Sequence, residues 1–177
     1  MSTITDAKEL IIISLTKFFN SKENLNVLLD HILPNTSSKE KTSLRVIDWF
    51  VTNYAKKKTI VISTPREKYF NIYVNYRSQL KAYSKHQFDP FRRRFRINYY
   101  YDEGKFVETT IGQLNFFKWL IENDILKYIQ DHHDEIEQDM MKAHKAFRNI
   151  DHQSVVVPQD HKQHMNRMDG LRLLSFV

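Results

Sequence analysis

The 177-residue sequence predicts an α+β fold: a single domain with a helical N-terminal part and an antiparallel sheet of about three to five strands packed against helices. Three observations predict it. Apolar residues recur at helical spacing up to Lys58, the period falls to two between Tyr69 and Tyr101, and helical spacing returns from Leu114. The length suffices for a core without disulfides or structural metal.

Asp6 and Glu9 stand at capping-box spacing, and the apolar residues after them read as a helix to Phe19. Ser21 caps a second helix that ends before Pro34, and the polar stretch Asn35–Lys41 is a loop. Leu44, Ile47, Val51 and Tyr54 mark a third helix, with Trp49 and Phe50 widening its apolar face, so residues 5–57 are expected to be helical. The sheet is expected over 59–110. Thr59–Thr64 is almost entirely β-branched and is stopped by Pro65. From Tyr69 to Tyr83, Ile72, Val74, Tyr76, Leu80 and Ala82 alternate with Tyr73, Asn75, Arg77, Gln79 and Lys81, which predicts a long half-buried strand; a helix over Ser78–His86 competes with it. His86–Phe91, containing Asp89-Pro90, reads as a connection. From Arg92 alternation predicts a second strand with Phe95, Ile97, Tyr99 and Tyr101 inward and Arg92, Arg94, Arg96 and Asn98 outward. Asp102-Glu103-Gly104 then turns the chain so that Lys105–Thr109 returns antiparallel. Thr110 and Gln113 form a second capping pair ahead of the stripe Leu114, Phe117, Ile121, Ile125, Tyr128 and Ile129, which Asn123-Asp124 breaks or re-caps. Helices are expected over 111–147, closing the domain near residue 150, and 151–177 reads as a loose tail whose last residues, Leu171–Val177, form a terminal strand.

Charge is concentrated. Residues 51–104 hold twelve basic and four acidic side chains, a net +8, whereas 105–150 hold six and eight, a net −2; the whole chain is +6. Such a patch suits a polyanion or an acidic protein face. The absence of cysteine excludes thiolate metal sites, disulfides and cysteine nucleophiles. Three glycines cannot build a GxGxxG or P-loop cradle, and neither GxSxG nor HExxH occurs. A non-enzymatic protein without cofactor or metal is therefore expected, soluble and unsecreted, since its longest N-terminal apolar run, Leu10–Ile13, is too short for a membrane span.

The expected binding face gathers Tyr73, Arg77, Lys81, Arg92, Arg94 and Arg96 on the outside of the sheet. Arginine offers a planar fork of donors to carboxylate or phosphate, and tyrosine offers a ring for stacking. Three readings stay open: a solvated face, an acidic protein partner, and nucleic acid. A second cluster, His132 to Asp139, places His133 with Glu137 and His132 with Glu135 at helical spacing; a charged helix end explains it more simply than metal, and this acidic face suits the arginine strand, within one chain or between copies. The tail trio His152, His161 and His164 reads as solvated.

The strings Phe70-Asn71-Ile72-Tyr73, Ser78 to Lys85, Phe88-Asp89-Pro90-Phe91, Glu108 to Trp119, and the helix Val46 to Tyr54 resemble a small protein of nucleocytoplasmic large DNA viruses of the iridovirus, phycodnavirus and mimivirus kind, best over residues 44–130. The ending Leu174-Ser175-Phe176-Val177 is similar too. The resemblance brings no catalytic residues. It implies a viral protein made in the host cytoplasm or at a viral factory and packaged in the virion, as a minor capsid protein or other structural component. Its partners would be a capsid or other virion protein, or a second copy of itself, with nucleic-acid binding in packaging or gene expression as the alternative.

Overall fold

The structure, a computed structural model, describes residues 3–33, 42–92 and 94–153, with side chains over 8–33, 42–92 and 94–148. The chain divides into two units, residues 1–142 and 143–177. The loop Asn35–Lys41, the tail histidines His161 and His164 and the expected strand Leu171–Val177 lie outside the described residues.

Helix α1 (Thr3–Phe19) ends where expected but begins three residues before Asp6, so the Asp6–Glu9 pair lies inside it and does not start it; α2 (Lys22–Ile32) forms where expected, with Ser21 at its N-cap position. Ser43 caps α3 (Leu44–Trp49) by accepting from the Val46 amide, 3.3 Å. The chain then runs through a π-helical turn (Phe50–Tyr54) into α4 (Ala55–Lys58), keeping Ile47, Phe50, Val51, Tyr54 and Ala55 buried. Thr59, at φ 52°, ends it.

The expected strand over Tyr69–Tyr83 is corrected. Only Phe70–Asn71 (β2) is extended; it pairs with β1 (Val61–Ile62) in a two-residue ribbon, and Ile72–Phe88 forms helix α5. Two local effects decide this. Asn71 accepts from the Val74 amide at 3.0 Å, a helix N-cap, and the run Arg77 to Ala82 is rich in strong helix formers. The alternation also contained two false members, because Val74 and Ala82 are exposed while Ile72 and Tyr76 are buried. Helix α5 kinks at Ser84, whose φ of 62° and ψ of 162° lie outside helical space.

Strands β3 (Ile97–Asp102) and β4 (Lys105–Thr109) form the expected hairpin, with Ile97 opposite Thr109 and Tyr99 opposite Val107. Gly104 supplies the positive φ of the turn, 72°. The α+β class thus stands, but the strands make two separate antiparallel ribbons among the described residues instead of one sheet.

Thr110 begins α6 (Ile111–Glu122) as the capping pair predicts, accepting from the Gln113 amide at 3.0 Å. The helix breaks at Asn123-Asp124, where Asp124 takes φ 53°, and α7 (Ile125–Asp131) and α8 (His133–Gln153) follow. Among the helices, the most extensive packing joins α5 to α6. There the rings of Tyr76, Phe88, Phe116 and Trp119 lie with centroids 5.8 to 6.2 Å apart. Gly112 lets the first turn of α6 abut the end of α5: a Cβ there would stand 2.9 Å from the Asp89 carbonyl oxygen and 3.2 Å from that of His86. Asn115 closes the junction by donating to the Gln87 carbonyl, 3.1 Å.

Candidate functional site

The six residues expected on one sheet face come from two other kinds of structure. Tyr73, Arg77 and Lys81 lie on α5 at successive i, i+4 positions, so they share a helix face. Arg92, Arg94 and Arg96 lie on the segment that leads into β3. The strand expected from Arg92 starts only at Ile97 because its partner runs out: Thr109 pairs with Ile97, and α6 begins two residues later. Before that, Asp89 turns the chain, its carboxylate accepting from the Phe91 amide at 2.9 Å. Phe95 ties the second group to the far end of α5, past the Ser84 kink: its ring lies 6.1 Å from that of His86 and 5.8 Å from the Arg94 guanidinium.

The expected facing of the aromatics is corrected as well. Tyr99 is buried and Ile97 and Tyr101 are half-buried, as alternation requires, but Phe95 is 68% exposed. Standing ahead of the ladder, it has no strand to fix its side. On the outer hairpin face Tyr100, 64% exposed, packs against Phe106 at 5.4 Å.

Part of the basic excess is neutralised from the acidic third of the chain. Lys57 pairs with Asp139 (2.7 Å), Arg66 with Glu122 (3.2 Å) and Arg96 with Glu108. The acidic stretch of α8 meets the α3–α4 segment, not the arginine strand: Glu135 accepts from Tyr54 and Asp139 from Trp49, each at 3.2 Å. The hydrogen bond from Lys57 holds the Asp139 carboxyl below its usual range. Arg77, Lys81, Arg92 and Arg94 are exposed and have no acidic partner among the described residues. His132 stacks on Tyr128 at 4.1 Å, and its Nδ1 lies 2.9 Å from the Tyr128 carbonyl oxygen. His133 is 4.0 Å from Glu137, and the described residues contain no cluster of three or more metal-ligating groups.

Two features escaped the sequence reading. Asp48 on α3 is half-buried; burial, with the Asp89 charge second, pushes its carboxyl up to about 6. The other is a cleft of about 460 Å³ between the Thr64–Phe70 segment, α5 and α6, lined by Asn75, Gln79, Tyr83, Asn115, Trp119 and Asn123 among others. Its signal was present as Asn75, Gln79 and Tyr83, four residues apart, which share a face only on a helix.

No helix among the described residues is long and apolar enough to cross a membrane. No solved structure matches the chain. It is similar to a protein of Acanthamoeba polyphaga mimivirus, "Uncharacterized protein L507", at 38% identity over 146 residues, covering 78% of this chain and 56% of the relative. The chain therefore spans a little over half the length of the curated relative it matches, and the large-DNA-virus resemblance read from the sequence is borne out. The model of the Family of unknown function (DUF7197) matches residues 3–172, nearly the whole chain, and the protein belongs to that family.

Proposed function

We propose that this protein is a non-enzymatic viral structural or assembly protein, a minor capsid-type or other virion component, which binds an acidic protein surface. The contact centres on Phe95 and Arg94, with Arg92 and Arg96 on the same segment, and draws further on Tyr73, Arg77 and Lys81 along one face of α5. The observation that carries this is the exposed Phe95 ring under the Arg94 guanidinium, beside cations without acidic partners. Interface centres are enriched in aromatic residues and arginine, and a desolvated aromatic anchor contributes most of the binding energy there. Such a protein works in the virion and is made in the host cytoplasm or at a viral factory.

A second reading, nucleic acid, is favoured by the exposed rings of Phe95, Tyr100 and Phe106, on which bases stack. Against it, Glu108 and Asp102 sit on the same hairpin and use Arg96 and Lys105 as partners, so the outer face is mixed in charge. A phosphate backbone needs an unbroken basic track.

The test is charge reversal of Arg92, Arg94 and Arg96 to Glu. All three are exposed, so the variant is expected to fold, and to lose the virion protein that cross-links to the wild-type chain. Purified virions without the chain would refute the reading. Single-strand DNA binding that weakens log-linearly with salt, and is abolished by the reversal, would put nucleic acid in its place.

A further inference from the structure

We propose that the cleft between α5 and α6 is a second binding site, which takes an extended, uncharged polar peptide segment through its main-chain amides. The carrying observation is a set of side-chain amides, each with one end committed to the protein. Asn75 accepts at Oδ1 from Trp119 Nε1 (2.8 Å) and Gln79 Nε2 (3.3 Å). Asn115 donates to the Gln87 carbonyl (3.1 Å) and Asn123 to the Trp119 carbonyl (2.8 Å). These bonds fix the amides in place. Among the described residues, Asn75 Nδ2, Gln79 Oε1, Asn115 Oδ1 and Asn123 Oδ1 have no protein partner, and they belong to side chains that line one cleft. One donor group and three acceptors, held on two packed helices, are preorganised for a ligand that alternates N–H and C=O.

The chemistry narrows the occupant. The cleft's formal charges balance: Arg66 pairs with Glu122, and the other two charged residues in the lining are Lys118, which donates to Ser14 (3.0 Å), and Glu67. The cleft therefore has no net positive charge of the kind that phosphate sites use. Ring faces are scarce, since Trp119 is 4% exposed and Tyr83 has one face against Phe88, 12° from parallel at 6.1 Å. Nucleobases and sugars, which bind by stacking, are left at most one ring face. The volume falls within the range of small-ligand and peptide sites.

The two tryptophans make the test direct, because the Trp119 indole N–H is bonded to Asn75 in the cleft while Trp49 is bonded to Asp139 on another face. Uniformly 15N-labelled protein is titrated with the capped tetrapeptide acetyl-Ser-Asn-Gln-Ser-amide to millimolar concentration, with maltotetraose and tetrathymidylate in parallel. The expected result is a saturable shift of the Trp119 indole resonance with the peptide alone and a static Trp49 resonance. Gln79→Ala, on a half-exposed helix position where alanine is tolerated, is expected to weaken binding about fivefold, the loss of one hydrogen bond. No saturable shift, a shift produced by the sugar or the nucleotide in place of the peptide, or unchanged affinity in Gln79→Ala would each overturn the proposal. Charge reversal at Arg92, Arg94 and Arg96 leaves this titration unchanged, which separates it from the surface proposed above.

Discussion

Gly112→Ala tests the junction that organises the fold. In an ordinary helix interior the change would help, since alanine is about 1 kcal/mol the better helix former. Here the new methyl would stand 2.9 Å from the Asp89 carbonyl oxygen, 3.2 Å from the His86 carbonyl oxygen and 3.3 Å from the Phe88 amide nitrogen. All three are backbone atoms, so no side chain can swing aside, and the end of α5 must move away from α6. Overpacking of this kind costs about 1–3 kcal/mol, and shifting α5 also stretches the bond from Asn115 to the Gln87 carbonyl. Subtracting the propensity gain of about 1 kcal/mol and adding up to about 1 kcal/mol for the strained hydrogen bond leaves an expected net destabilisation of about 1–2 kcal/mol, or a fall in Tm of roughly 3–8 °C for a unit of this size. Urea unfolding followed by tryptophan fluorescence measures it, with Trp119 reporting from the same interface. Gly104→Ala is the contrast, because its Cβ would meet nothing and the cost comes from φ alone. A Gly112→Ala protein as stable as wild type would refute the close approach of the two helices.

Ser84→Gly is expected to raise stability by about 1 kcal/mol, because φ 62° with ψ 162° is a region that glycine alone enters freely, and the relief of strain exceeds glycine's entropic cost; thermal unfolding without any gain would count against the kink. Asp48→Asn carries a pH signature. With a folded pKa of about 6 against an ordinary 3.8, the protonated carboxyl's contribution to stability is complete below about pH 3.8 and is lost as pH rises through 6. The asparagine variant is therefore expected to be more stable than wild type by about 1 kcal/mol at pH 7.5, after discounting for solvent screening at a half-exposed site, and equal to it at pH 4. Equal differences at both pH values in parallel urea titrations would refute the assignment.

Where a local chemical device set the structure, the sequence was readable. The Thr110 cap, the break at Asn123-Asp124 and the turn at Gly104 depend on neighbours within four residues, and each formed where its residues predict. The failure was α5. Ile72, Val74, Tyr76, Leu80 and Ala82 satisfy a period of two, while Ile72, Tyr76, Leu80 and Tyr83 satisfy a helix equally well. What separates the two readings is the Asn71 cap and the run of helix formers from Arg77, local signals that the stronger-looking period of two masked, while the choice of buried face depends on α6, about forty residues away. The exposure of Phe95 was illegible for a related reason: alternation assigns faces only where a partner strand exists, and β4 ends at Thr109. Arg77, Lys81, Arg92, Arg94 and Arg96 are exposed as expected, and their arrangement differs from the one expected.

Correcting α5 changes what the resemblance strings mean. Phe88-Asp89-Pro90-Phe91 and Thr110 to Trp119 meet in space: Phe88 packs on Phe116 and Trp119, and Gly112 lies against Asp89. These strings form a packing frame. The frame also divides α5 by face. Ile72 and Tyr76 go to the core, Asn75, Gln79 and Tyr83 line the cleft, and Arg77 and Lys81 turn outward. A helix placed so that three faces have three environments can support two binding surfaces without either disturbing the core. On the two proposals above, substitutions at Arg77 and Gln79, two residues apart in sequence, are expected to act on different partners, and a change at Gly112, which shifts α5, to disturb both together.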